Sequence, residues 1–236
     1  MKKIGLILMV VVMMFSITAC GEKSKNAGSV ETVPSLENLD RTFSEGAYDI
    51  GKDIKAGKYL VNCSDTDYGM DIIVFADKQA YDAFQNADKT TNGEFRRAVE
   101  MNSWANFYIK KDEAVYMSLE EGDVLFLDNG ECKLEKFNPD ESSQLNRGIY
   151  VIGKDLDSEG IEVKSVSYRI KTLLFENAEK YLAYNKTDRA TVGDEGDAIK
   201  KYAVDEEYVY EKDTVSFDLK EGMILIVNEG IGEVLN

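Results

Sequence analysis

Cys63 and Cys132 are the residues best suited to covalent chemistry in this chain, and the rest of the sequence limits what that chemistry is. There is no histidine. A cysteine nucleophile, a Ser-His-Asp triad, a His-ligated zinc and an imidazole proton shuttle are all without their usual base or ligand. Both cysteines fall in stretches that read as strands of the same half of the chain. Cys63 and Cys132 are thus a candidate inter-strand disulfide in an oxidising compartment. The plainer reading is a pair of buried free thiols.

Carboxylates are the other reactive supply: 44 acids against 28 basic residues give a net charge of −16. Asp155, Asp157, Glu159 and Gly160 imitate the opening of a calcium loop, but Val166 stands where that loop needs a bidentate glutamate. Asp65, Asp67 and Asp71 depart from the pattern sooner. Both stretches read as turns with solvated charges, and no metal or cofactor is expected. The stretch 51–58 resembles a phosphate loop only superficially. It has five residues between its glycines, and Tyr59 replaces the Ser or Thr that would hold magnesium. Paired carboxylates suffice for glycoside hydrolysis. Asp53/Asp155 and Glu121/Glu221 recur along the chain, but each adjoins a glycine turn, where side chain-to-backbone bonds explain an aspartate equally well. Trp104, Tyr108 and Tyr208 are a candidate platform for a sugar or peptide, with core packing on alternate faces as the alternative. Phe95, Arg96 and Arg97 give way to Glu195, Gly196 and Asp197 one repeat later, so any ligand site in this region differs between the copies.

The elements that position these residues come in duplicate. Gly46-Ala-Tyr-Asp-Ile-Gly-Lys-Asp53 matches Gly148-Ile-Tyr-Val-Ile-Gly-Lys-Asp155 at six of eight positions. From Phe75 to Gly130 a constant offset of 100 yields 14 identities in 56 positions without a gap. Chance gives about three or four at ordinary composition. Each copy reads as short strands at 46–50, 57–63 and 71–75, or 148–152, 160–166 and 170–175. A short amphipathic helix follows at 78–87 or 178–187, with Asp77 and Asn177 as N-caps. A polar stretch around Gly93 or Gly193 leaves room for another helical turn. Four strands then close each copy, with Gly122 and Gly222 at a hairpin that calls for positive φ. The expected fold is mainly β: two tandem small β-sandwich or barrel-like domains, each with a short helical insertion.

The chain begins with Lys2 and Lys3, then an apolar run over 4–15. That run is short for a membrane span, which needs ~20 residues, and reads as a signal-peptide core. Ile17-Thr18-Ala19-Cys20 resembles the lipobox of bacterial lipoproteins. The resemblance implies cleavage before Cys20 and a diacylglycerol on its sulfur, which would fix the mature chain to a membrane. Without residues 1–19 the charge becomes 26 − 44 = −18. The expected organisation is a signal peptide at 1–19, a flexible tether at 20–43, one repeat at 44–137, a linker at 138–146 and the second repeat at 147–236. The tether contains Pro34 and the linker contains Pro139.

The Gly46–Tyr59 stretch and the Leu119–Asp123 hairpin together resemble a module of exported lipoproteins in low-GC Gram-positive bacteria. The second copy departs at Leu156 and Met223. The resemblance implies a fold and a cell-surface address, and leaves the activity open. The expected function is a non-enzymatic binding or interaction module on the extracytoplasmic face, with a glycan or protein ligand. A cell-wall carbohydrate-active enzyme using paired carboxylates is the alternative. Nucleic acid is excluded by the acidity, since phosphate binding needs a basic face.

Overall fold

The computed structural model describes residues 39–157, 161–187 and 195–235. The signal peptide, Cys20 and the tether up to residue 38 lie outside the described residues, as do 158–160 of the calcium-loop-like stretch and Gly193.

The first repeat runs β1 (Gly46–Asp49), β2 (Gly57–Asp65), β3 (Met70–Phe75), α1 (Lys78–Asn86), α2 (Asn92–Asn102), β4 (Ala105–Ile109), β5 (Ala114–Leu119), β6 (Val124–Asp128) and β7 (Glu131–Lys136). A single 3-10 turn, Pro139–Glu141, leads into the second. That repeat runs β8 (Gln144–Leu145), β9 (Gly148–Val151), β10 (Ile161–Ser165), β11 (Arg169–Phe175), α3 (Ala178–Asn185), α4 (Glu195–Tyr202), β12 (Asp205–Tyr210), β13 (Thr214–Phe217), β14 (Ile224–Glu229) and β15 (Gly232–Leu235). The chain is mainly β.

Local chemistry sets the helix starts. The Asp77 carboxylate accepts from the Ala80 amide at 2.7 Å, and Asn177 accepts from Lys180 at 3.0 Å. These are the expected N-caps. The second helical segment is larger than the turn expected around Gly93: α2 has eleven residues. Thr91 and Glu94 form a reciprocal capping box at its start.

Three sheets follow from the pairing. One has the order β1-β6-β3-β4, a second β13-β10-β15-β8, and a third runs through seven strands as β12-β11-β14-β9-β5-β2-β7. The third crosses from one repeat to the other where β5 and β9 pair in parallel, Tyr116 opposite Gly148. Strands of the two repeats therefore share one sheet, and the described residues all belong to one compact unit. Alternation along the strands gives that sheet two buried faces. Val115, Met117 and Ile149 join Ile72, Leu125 and Phe107 of the first sheet in one core. Tyr116, Tyr150 and Ile152 join Val163 and Phe217 of the second sheet in another. Helices α1 and α2 cover the outer face of the first sheet through Phe84, Ala98 and Val99.

Leu145 pairs with Gly232 as Phe43 pairs with Cys132 one repeat earlier. Both Phe43 and Leu145 are buried. The ends of the stretches read as tether and linker thus enter the sheets, because each repeat needs an apolar residue there to close its last strand.

Candidate functional site

The seam between repeats is built from unlike neighbours. Tyr116 on β5 and Tyr150 on β9 stack with centroids 4.5 Å apart and planes 11° from parallel. The Tyr150 hydroxyl donates to the Asn146 carbonyl at 2.7 Å. Asp155 is 0 % exposed and accepts from the Val151 amide at 2.9 Å. Lys58, from the other repeat, places Nζ 3.7 Å from the second carboxylate oxygen. Burial, reinforced by the Asp155 charge, pushes the Tyr116 hydroxyl well above its ordinary range. Asp53, the equivalent acid of the first repeat, closes the same turn by accepting from Asp49 at 2.9 Å. The recurring aspartates are turn residues, and Asp155 also ties the repeats together.

Two clefts cross this seam, and one more lies beside them within the first repeat. That one, the first, is about 720 Å³, lies beside α2 and is lined by Asp71, Asp128, Arg96, Asn106 and Tyr108. Asp71 stands between Tyr108 on β4 and Asp128 on β6 in the strand register. Burial and the Asp128 charge raise the Asp71 carboxyl pKa, and Arg96 partly opposes them. Burial and Glu45 raise that of Asp128. The corresponding row of the second repeat reads Tyr208, Lys171, Glu229, so the two acids are replaced by a lysine and a glutamate.

The second cleft, about 330 Å³, has Asn106 and Tyr108 on one wall and Lys171, Arg147 and Asn228 on the other. The third, about 620 Å³, shares Arg147, Asn228 and Glu229 with it and adds Asn62, Gln144 and Asn146. Arg147 places Nη1 3.7 Å from Glu113, and desolvation lowers its pKa. Its Nε and the Asn146 Nδ2 are buried without a hydrogen-bond partner, and Asn146 is only 4 % exposed. Buried polar atoms are rarely left so.

The candidate aromatic platform is divided. Tyr108 is 48 % exposed, donates to the Tyr68 carbonyl at 2.6 Å, and lines two clefts. A Cβ on Gly69 would collide with its ring, so a glycine is needed beneath it. Tyr208, 42 % exposed, sits under Arg169 and Lys171 at 5.5 and 5.4 Å. Trp104 instead packs edge-on against Tyr181 at 5.9 Å, and its carbonyl accepts the Tyr181 hydroxyl. Trp104 belongs to the packing behind the seam.

Cys63 and Cys132 face each other across β2 and β7 as free thiols. Their backbone bonds run outward, Cys132 to Phe43 and Cys63 to Asp112 and Glu113. They therefore form a non-hydrogen-bonded pair, the arrangement in which side chains approach most closely. Burial, then the facing Cys63, pushes the Cys132 thiol up to about 12. Burial, then Asp112, raises Cys63. Such thiols are poor nucleophiles at neutral pH. Ser165 and Gly232 occupy the matching pair of the second repeat.

Among the described residues no cluster of three or more acidic or cysteine side chains is arranged to hold a metal ion. No helix among them is long and apolar enough to cross a membrane. Comparison with known protein families, curated proteins and solved structures finds no match.

Proposed function

We propose that this chain is a lipid-anchored extracytoplasmic protein, held at Cys20, that binds its ligand in the clefts along the repeat seam and performs no reaction there. The observation that supports binding most directly is Asn146. Its amide nitrogen is buried without a partner in a residue that lines the larger of the two clefts crossing the seam. A site built for a ligand leaves polar groups whose partners arrive with it. The lipobox supports the anchor. A charge of −18 on the mature chain would keep the body off anionic headgroups.

The second reading, a carbohydrate-active enzyme, draws on Asp71 and Asp128. They are cross-strand neighbours with raised pKa values in a cleft, the setting that glycoside hydrolysis uses. Binding stands first because the seam clefts extend into both repeats, well beyond what a hydrolytic pair requires. Incubation of the full-length lipoprotein in detergent with cell-wall glycans separates the two. Retention of the glycan without new reducing ends supports binding. Reducing ends that vanish in Asp71→Asn support the enzyme and overturn the binding reading.

A further inference from the structure

We infer that the three clefts act as one groove, and that its ligand is an uncharged linear glycan several sugar units long. The inference rests on the binding reading and names its ligand. Asn106 and Tyr108 form a wall common to the first and second clefts, and Arg147, Asn228 and Glu229 one common to the second and third. The site therefore runs from Asp71 and Asp128, past Tyr108, across the seam at Arg147, to Asn146. Each cleft alone falls within the ~300–1,000 Å³ of a small-molecule site. Three in series suit a ligand that repeats.

At the seam end of the groove the cations already face protein acids, while Asp71 and Asp128 keep the other end acidic. Arg147 faces Glu113, Lys171 lies 3.4 Å from Glu206, and Arg169 pairs with Glu229. An anionic ligand would compete for these cations against a strongly acidic body. Amide side chains dominate what is left: Asn62, Asn106, Asn146 and Asn228 each offer a donor and an acceptor. Sugar hydroxyls and acetamido groups are the complement, because each also donates and accepts. The buried Asn146 Nδ2 and Arg147 Nε are donors that await an oxygen. Tyr108, half exposed and fixed through its hydroxyl to Tyr68, supplies an apolar ring face midway along.

The test is calorimetric titration of the full-length lipoprotein in detergent with two neutral series of one to six units, cellodextrins and N-acetylglucosamine oligomers. A panel of short peptides serves as the comparison. Affinity for one sugar series is expected to rise at least tenfold between two and five units and to change little with salt. Tyr108→Ala, on the surface, and Asn228→Ala, across the seam, should each weaken the longer oligomers at least fivefold, at unchanged melting temperature. Binding that does not depend on length overturns the continuous groove. Peptide binding lost in Tyr108→Ala, with both sugar series inert, overturns the glycan while leaving the binding reading intact. No response to any panel overturns both.

Discussion

Asp155 shows how one residue carries a local and a long-range role. As a turn acid it duplicates Asp53, and the repeated Gly-Lys-Asp makes that role legible in the sequence. Its contact with Lys58 is not legible, because it exists only once β9 lies beside β5. Removing the charge in Asp155→Asn strands Lys58, which keeps some solvent and a second acid, Asp140, at 3.8 Å. The expected loss is on the order of 2 kcal/mol, below the ~3–5 of a fully buried pair. Asp53→Asn, a turn change alone, should cost about 1 kcal/mol in the same urea titration. Equal losses would contradict the seam role. The cysteines were legible as a pair but not as register partners. Thiol titration of the mature chain, denatured without reductant, should give two reactive protein thiols in the state described here. None would mean that the bridge closes during export. Of the groove residues, Tyr108 stood out as an aromatic. Asn146 and Arg147 did not, since they sit in a polar stretch with a linker's composition.

At the scale of elements, the parallel contact between β5 and β9 organises the molecule. A parallel pair leaves no local signature in either strand, so reading each repeat separately yields two domains and no junction. The one trace is Gly148. A Cβ there would come 2.5 Å from the Tyr116 carbonyl oxygen, whereas its counterpart Gly46, on a strand with no neighbour on that side, has open space around it. Both glycines hold a positive φ, so the backbone calls for glycine in each copy, and only the second copy adds a packing reason. Both alanines strain a positive-φ backbone, but only Gly148→Ala should also push β9 off β5, so it should lower the melting temperature by more than Gly46→Ala does. The reverse order would contradict the junction. Helix α2 was under-read for a different reason. The Thr91-x-x-Glu94 capping box is the signal that would have extended it, but the polar residues around Gly93 mask the buried Ala98 and Val99.

For the whole molecule, charge and burial make an unusual pH prediction. Burial pushes Asp123 up to about 6 and raises Asp71 and Asp128 as well. A carboxyl whose pKa is higher folded than unfolded stabilises the fold when protonated. That stability is fully present below the unfolded value of ~3.9 and is lost as pH rises through the folded one. Acidification from pH 7.5 to 5 also lessens the self-repulsion of an acidic body. The melting temperature should therefore rise over that interval; a fall would mean that carboxylate contacts stabilise the charged forms instead. The wider claim is that two repeats fold into one body whose seam is the binding surface. Backbone NMR shifts of the isotope-labelled mature chain, titrated in turn with cellotetraose and the N-acetylglucosamine tetramer, test it most directly. The account predicts, with one of them, perturbations that run unbroken from Asp71 and Tyr108 through Arg147 to Asn228 and Asn146, in both repeats at one dissociation constant. Perturbations confined to a single repeat, or none with either, would contradict it.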